Sequence, residues 1–310
     1  MTYQLQTLNE RAIGDPRAFV LESEERYHQV LQDAAEQIAA HQAVSPIVFL
    51  AGPSGSGKTT TSLKLKEILS RRGITLHTVE MDKYFRTVTD DHPKTETGEY
   101  NFESPLCLDL ELLESHFEAL NAGKAIEIPK YSFKSRTQNR NTGRILQPGP
   151  EDLVIFEGLH ALNDIFSRLC PDAFRIYVNA STEIHQDGAV CFQGNWVRLC
   201  RRMIRDRQFR NSPVTETMAM WANVCHGEEL YIDPFREKAD LQFNSMLPYE
   251  IGMMKTYVQP LLAEAESQGA IDPKYRDLLP ALDSFVPVAP ELVPADSLLR
   301  EFIGDSSYQY

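Results

Sequence analysis

The sequence predicts an α/β fold in which a parallel β-sheet is covered by helices on both faces, giving a three-layer sandwich. Two observations support this prediction. From about residue 44, short apolar runs alternate with stretches of helical periodicity, a pattern typical of parallel sheets. The first run, residues 47–51, leads into a glycine-rich loop and then a helical stretch. A strand, a loop and a helix N-terminus in this order form an anion-binding unit.

The glycine-rich loop, residues 52–59, fits the pattern G-x-x-x-x-G-K-[ST] of P-loop NTPases. In this pattern, backbone N–H groups surround phosphate groups, the lysine reaches the outer phosphates and the last hydroxyl holds Mg²⁺. The alternative is a Gly/Ser turn that binds nothing, which the flanking strand and helix patterns disfavour. The residues predicted to hold the nucleotide are Gly52, Ser54, Gly55, Ser56, Gly57, Lys58, Thr59 and Thr60.

The chain divides into a main α/β domain and two helical flanks. Residues 1–43 carry apolar side chains at helical spacing in their second half and are expected to lie on the main domain, residues 44–246, without chemistry of their own. The sequence pattern of residues 247–310 predicts further helices packed on that domain. Within it, two apolar stretches flank a polar insert and predict a hairpin arm over about residues 125–147.

An arginine-rich stretch predicts a lid over about residues 196–215. Six arginines fall within residues 198–210 of an otherwise acidic chain. At helical spacing, Arg198, Arg202 and Arg205 share a face and are expected to present together. A solvated charged face is the alternative, but the concentration of guanidinium groups favours a phosphate clamp, because these groups bind phosphate oxygens in pairs.

Two further apolar runs end on acidic residues, Asp82 and Glu157. The carboxyl ends of parallel strands meet at one edge of a sheet, so both acids are expected near the phosphate loop. Glu157 and Thr59 are the predicted Mg²⁺ ligands. Asp82 is predicted to accept the proton of an attacking hydroxyl. Capping the next helix or supporting the metal shell are the alternatives for Asp82.

These parts suit phosphoryl transfer, which depends on positioning and charge neutralisation more than on covalent chemistry. Lys58 and the loop amides would hold the donor phosphates. Arg205 and Arg210 would close over the charge that builds on the transferring group. With Asp82, these side chains form the predicted catalytic set.

The bulk composition limits the partners. The chain has 310 residues and a net charge of -13, which argues against general binding to nucleic acid or anionic membrane. Five dispersed cysteines suit a reducing compartment better than a disulfide framework. No apolar run approaches the roughly 20 residues needed to cross a bilayer, and the chain start lacks a signal-peptide pattern. A cytoplasmic location is expected, while self-association into a homo-oligomer stays open.

Several short motifs occur in the order seen in the uridine kinase and phosphoribulokinase family, and the chain resembles that family over roughly residues 45–245. The helical flanks, including the ending LLREFIG, look like a bacterial uridine kinase-like branch. The motifs that carry the resemblance are the phosphate loop, MDKYF at 81–85, YNFESP at 100–105, IPKYSF at 128–133, IFEGL at 155–159 and RRMIRD at 201–206.

The resemblance implies a phosphotransferase with an alcohol group as acceptor. It would use ATP as donor, with Mg²⁺, and transfer the γ-phosphoryl group to the 5′-hydroxyl of a ribonucleoside. By motif, aromatic residues hold the base, Glu103 stands where an Asp binds the ribose hydroxyls, and Arg202 reaches the sugar. The residues predicted to bind the acceptor are Phe85, Phe102, Glu103, Tyr131, Phe133, Arg136 and Arg202.

The chain departs from the family pattern in its acceptor region. Arg136 stands near the place of a His that reads the pyrimidine edge, and a guanidinium donates hydrogen bonds but accepts none. Phe85 stands where a Tyr is common. Asn211-Ser212 replaces the Gly-Arg that follows the lid arginine, a cation that Arg207 could supply. A kinase of another small hydroxyl compound, such as a phosphorylated sugar, and a nucleotide-binding regulatory module stay open as alternatives.

Overall fold

The structure, a computed structural model, describes residues 2–95 and 98–309. In chain order, the strands are β1 (Tyr3–Gln4), β2 (Ile47–Ala51), β3 (Leu76–Glu80), β4 (Ile126–Ser132), β5 (Thr137–Leu146), β6 (Leu153–Glu157), β7 (Phe174–Asn179), β8 (Ile184–Gln186), β9 (Ala189–Phe192) and β10 (Leu241–Asn244). The α-helices are α1 (Leu5–Gly14), α2 (Pro16–His41), α3 (Lys58–Arg71), α4 (Leu110–Asn121), α5 (Asp164–Leu169), α6 (Trp196–Phe209), α7 (Val214–Tyr231), α8 (Glu250–Ser267), α9 (Leu278–Asp283) and α10 (Arg300–Ile303). Short 3₁₀ turns lie at Met81–Tyr84, Pro105–Cys107, Asp233–Lys238, Pro273–Tyr275 and Pro290–Leu292.

The central sheet has five parallel strands in the order β10-β7-β2-β6-β3. Its central strands β2 and β6 are buried at every residue, which explains their continuous apolar sequences. Alternate residues of β2 enter two cores: Val48 and Leu50 pack with the flanking helices, and Phe49 packs against Phe117 of α4 and Phe156 of β6. The predicted three-layer α/β fold is therefore confirmed.

Both flanks pack on one face of this sheet. Helices α1, α2, α8 and α9 contribute to the same core as α3 and α6. Helix α2 begins with Pro16 in its first turn, and the Asp15 side chain caps it by accepting a 2.9 Å bond from the Ala18 N–H. The sequence predicted helix only in the second half of the first 43 residues, whereas α1 and α2 occupy most of that stretch.

Short strands form a second sheet that the sequence did not predict. β1 pairs in parallel with β8, and β8 pairs antiparallel with β9. This sheet ties the start of the chain to the segment between β7 and α6. Strands of two to four residues carry too few positions for a period-2 pattern to appear.

The antiparallel pair β4–β5 lies where the sequence predicts the hairpin arm. The polar insert is largely strand, because β5 already starts at Thr137 and only residues 133–136 form the turn. Arg136 occupies the turn with a φ of 53°. Most side chains of β5 are exposed, so burial imposes no alternation that a sequence pattern could reveal.

The predicted lid coincides largely with α6, which is a packed helix. Ten of its residues are buried, from Trp196 to Asp206, and only the stretch after Asp206 is exposed. Among the described residues, no helix is both long enough and apolar enough to cross a membrane.

Candidate active site

The phosphate loop connects β2 to α3 and requires glycine at two positions. Gly55 and Gly57 have φ values of 78° and 79°, in the left-handed region. A Cβ atom on Gly57 would also lie 2.5 Å from the side chain of Leu298, which belongs to residues 296–308, called here the C-terminal segment. The loop therefore adopts its conformation under close packing from the end of the chain.

Three successive carbonyl groups of the loop accept hydrogen bonds from outside it. The guanidinium of Arg198 donates to the carbonyl of Ser54 at 3.2 Å, and that of Arg201 donates to the carbonyl of Gly55 at 3.0 Å. The hydroxyl of Ser245 donates to the carbonyl of Ser56 at 2.6 Å. Within the loop, the Ser56 N–H donates to the carbonyl of Pro53 at 3.2 Å. The loop backbone is thus held by α6, by Ser245 after β10 and by its own turn.

The expectation that Arg198 presents its guanidinium to phosphate is wrong. Arg198 is buried and forms two parallel bonds of 2.6 and 2.7 Å with the carboxylate of Glu228 on α7. Arg201 pairs with Glu250 of α8 in a different geometry: its Nε–H and one terminal N–H both donate to Oε2 of Glu250, at 3.0 and 2.7 Å, and both side chains are fully buried. These arginines fix the phosphate loop from behind. Arg207, which lies 3.7 Å from Glu264, is absent from the cleft lining.

Lys58, Thr59 and Glu157 meet at the start of α3. The Lys58 ammonium donates to the carbonyls of Gly52 at 2.9 Å and Pro53 at 3.3 Å. The Thr59 hydroxyl donates to Oε1 of Glu157 at 2.9 Å. Burial raises the pKa of Glu157 to about 7, against the opposing effects of Lys58 and the Thr59 hydroxyl.

The pair Thr59–Glu157 fits a magnesium ion. Oε2 of Glu157 is buried and has no hydrogen-bond partner among the described residues, so it offers a free carboxylate oxygen. Mg²⁺ in nucleotide sites takes one or two protein oxygens and completes its shell with phosphates and water. No group of three or more His, Cys, Asp or Glu side chains in the described part of the chain could hold a metal by itself.

Asp82 faces the same cleft from the 3₁₀ turn after β3. Its side chain is open to the solvent of the cleft. Desolvation by the surrounding walls raises the pKa of its carboxyl, and the charge of Lys58 opposes the rise. An acid with a raised pKa beside a phosphate site is suited to accept a proton.

The cationic side of the cleft is organised by Asp206. This buried carboxylate lies 3.2 Å from Arg202, 3.5 Å from Arg205 and 3.3 Å from Arg210. The Thr217 hydroxyl also donates to it at 3.2 Å. One acid thereby gathers three arginines that line the cleft.

The cleft has a volume of about 590 Å³. It brings together donor-side and acceptor-side residues from distant parts of the chain. The predicted site residues that line it are Ser54, Gly55, Gly57, Lys58, Thr59, Asp82, Glu103, Phe133, Glu157, Arg202, Arg205 and Arg210.

Glu103 lies on the acceptor side, against α7. The absence of a side chain at Gly227 permits this approach, since a Cβ there would lie 2.8 Å from the Glu103 Cβ. Burial raises the pKa of Glu103 to about 7, while the charge of Arg202 opposes the rise and Glu228 adds to it. The Glu103 carboxyl can therefore accept or donate a hydrogen bond near neutral pH.

Four predicted acceptor residues lie beside the cleft and do not line it. The rings of Phe85, Tyr131 and Phe133 pack together. The Phe85 centroid lies 5.4 Å from that of Tyr131 and 5.8 Å from that of Phe133, and the centroids of Tyr131 and Phe133 are 5.0 Å apart. The Arg136 guanidinium lies 5.3 Å from the Phe102 ring centroid. The exposed ring of Phe133 is thus the point at which this aromatic group reaches the cleft.

Glu301 is a cleft residue that the sequence did not predict. It lies on α10 in the C-terminal segment, and its Oε2 accepts hydrogen bonds from the Thr60 hydroxyl at 2.7 Å and the Thr60 N–H at 3.3 Å. Thr60 is itself buried beneath this contact. The two residues are separated by 241 positions, and no local pattern connects them.

A strand–loop–helix phosphate site, a hydroxyl–carboxylate pair and an arginine cluster around one cleft define a P-loop kinase. A sequence model of the phosphoribulokinase / uridine kinase family matches residues 47–251, and the chain belongs to this family. The resemblance drawn from the motifs is confirmed.

Similar proteins include a uridine kinase from Brevibacillus brevis, 31% identical over 196 residues that cover 63% of this chain and 82% of the relative. A uridine kinase from Macrococcus caseolyticus is 28% identical over 223 residues, which cover 70% of this chain and 97% of the relative. Among solved structures, a "possible uridine kinase" from Bacillus stearothermophilus is 20% identical with a TM-score of 0.40, covering 64% of this chain and 87% of that one.

Proposed function

We propose that the protein is an ATP-dependent, Mg²⁺-requiring kinase that transfers the γ-phosphoryl group to the 5′-hydroxyl of a ribonucleoside. The observation that carries the proposal is a single cleft lined both by the phosphate loop with Lys58 and by the two carboxyls of Asp82 and Glu103. A site that only sensed a nucleotide would need neither acid. The uridine kinases among the similar proteins support a nucleoside as acceptor.

On the donor side, the loop N–H groups and Lys58 bind the phosphates of ATP. Thr59 and Glu157 would hold Mg²⁺, which supplies positive charge to the donor phosphates. The Lys58 ammonium donates to carbonyls of the phosphate loop itself, so a change of side-chain rotamer brings it to the phosphate oxygens. Arg205 and Arg210, held by Asp206, neutralise charge on the transferring group.

On the acceptor side, Glu103 and Arg202 bind the sugar and the ring of Phe133 stacks on a planar base. Asp82 accepts the proton of the acceptor hydroxyl while the oxygen of that hydroxyl forms a bond to the γ-phosphorus. The bond from this phosphorus to the bridging oxygen breaks, and ADP leaves with that oxygen. The raised pKa of Asp82 favours proton acceptance, since a more basic carboxylate is a better general base.

The test is ADP production by the purified protein with Mg-ATP and a panel of nucleosides and phosphorylated sugars, with ³¹P NMR to identify the product. We expect a ribonucleoside to raise ADP production above the acceptor-free rate and to yield a 5′-monophosphate. Stimulation only by a phosphorylated sugar would transfer the assignment to that substrate class. If ATP bound and no acceptor increased ADP production, the regulatory-module alternative would replace the kinase proposal.

A further inference from the structure

Glu301 binds a donor that a phosphate group also needs. Thr60 is the third residue of α3, so its N–H is one of the N–H groups in the first turn of the helix. In a phosphate loop these N–H groups, with the positive end of the helix dipole, bind phosphate oxygens. Here the Glu301 carboxylate accepts from both the N–H and the hydroxyl of Thr60. A carboxylate and a phosphate oxygen cannot both accept this N–H at hydrogen-bond distance.

The C-terminal segment is anchored so that Glu301 reaches this point. Asp296 forms a 3.0 Å ion pair with Lys64 on the next turn of α3, and the Tyr308 hydroxyl donates to Glu67 at 2.9 Å. Between these anchors, Leu298 packs on Gly57 of the loop. Residues 296–308 therefore run along α3 and deliver one carboxylate to its first turn.

The charge of Glu301 opposes a polyanionic ligand. Its carboxylate lines the same cleft as those of Glu80, Asp82 and Glu157. The negative charge of Glu301 also helps to raise the pKa of Glu157. The incoming donor carries several negative charges and would lie beside it. Exchange of the carboxylate for a phosphate oxygen removes this repulsion and leaves the Thr60 donors satisfied.

We propose that Glu301 competes with a phosphate group of the donor nucleotide for Thr60, so that nucleotide binding releases the carboxylate and loosens α10 from the phosphate loop. The C-terminal segment thereby lowers nucleotide affinity and reports donor-site occupancy. This inference rests on the nucleotide-binding half of the proposed function and is independent of the acceptor. The competing ligand is a nucleoside di- or triphosphate.

Nucleotide affinity of the full chain tests the competition. Glu301→Gln keeps the shape and a neutral acceptor but removes the charge, and we expect it to bind ADP and ATP roughly tenfold more tightly in calorimetric titration. A charged hydrogen bond exceeds a neutral one by about the free energy of a tenfold change in affinity. The control Glu291→Gln removes the same charge from an exposed position of the C-terminal region and should bind like the unaltered protein.

Hydrogen exchange supplies the second readout. With ADP bound, amides of residues 298–304 should exchange faster in the unaltered protein, while those of the phosphate loop exchange more slowly. Unchanged or weaker nucleotide binding by Glu301→Gln, with a folded protein by thermal unfolding, would overturn the inference and leave the kinase proposal standing. Failure of the unaltered protein to bind any nucleotide would overturn the donor site and this inference together.

Discussion

Replacing Arg201 with Met tests how the phosphate loop is supported. Arg201 and Glu250 are both fully buried, and the substitution leaves the Glu250 carboxylate without its cation. Breaking a buried ion pair by removing one partner costs about 3–5 kcal/mol. Because a domain is stable by roughly 5–15 kcal/mol, the variant should lose a large part of its stability. We expect this loss in urea denaturation at pH 7 and low temperature.

The double variant Arg201→Met/Glu250→Leu separates charge from hydrogen bonding. It removes the unpaired carboxylate but still leaves the carbonyls of Gly55 and Ser245 without their Arg201 donor. Both variants lose these donors, so the difference between them isolates the unpaired buried charge, and the double variant should be more stable than the single one by about 3 kcal/mol or more. Equal stability of the two would refute the argument from buried charge.

The pH dependence of the single variant gives an independent check. Burial raises the pKa of Glu250 to about 7 even beside Arg201, and loss of the guanidinium should raise it further. A carboxyl with a raised pKa in the folded state binds protons more tightly there than in the unfolded chain, where its pKa is about 4.3. Both proteins lose this contribution in parallel between the unfolded pKa and about pH 7, so the extra destabilisation of the variant should grow as pH rises above about 7. The control Arg207→Met breaks only the exposed contact with Glu264 and should change stability by about 0.5 kcal/mol or less.

Three further predictions concern the cleft and the residues beside it. Asp82→Asn should lower kcat by roughly 10²-fold or more while ATP affinity by titration stays nearly unchanged, and unaltered turnover would remove Asp82 from the mechanism. Glu157 must be ionised to bind a metal, so its pKa of about 7 predicts that Mg²⁺ affinity with bound nucleotide falls as pH drops below 7. Glu157→Gln should weaken Mg²⁺ binding and abolish that dependence; an identical pH profile would contradict the assignment. Arg136→His should change the ranking of acceptors in the activity panel, through its contact with Phe102, and an unchanged ranking would reduce Arg136 to a surface charge.

The parts of the fold that the sequence predicted are those with strong local constraints. β6 and β7 begin where the apolar runs begin, because strands buried on both faces admit few polar residues. The phosphate loop was recognisable because its glycines meet a backbone requirement. Asp82 and Glu157 could be placed because parallel strands end at one edge of the sheet. By contrast, β10 has four partly exposed residues and gave no comparable signal.

The partners of the site residues could not be predicted, because they come from distant segments. Arg198 and Arg201 are structural only because Glu228 and Glu250 arrive from α7 and α8, 30 and 49 positions along the chain. A run of arginines at helical spacing has the same sequence whether it faces solvent, phosphate or buried acids. Glu301 is a similar case, since nothing near it in sequence indicates a phosphate loop.

The arginine face of α6 combines both roles along one axis. Its side chains become steadily more exposed from the loop toward the cleft, at 7% for Arg198, 10% for Arg202 and 17% for Arg205. Arg210, just beyond the helix, reaches 55%. The helical spacing correctly predicted that Arg198, Arg202 and Arg205 share one face of α6, but the burial of that face decreases along the helix. The helix that holds the phosphate loop through Arg198 and Arg201 therefore also carries Arg202 and Arg205 into the cleft, so the two roles are joined in one element.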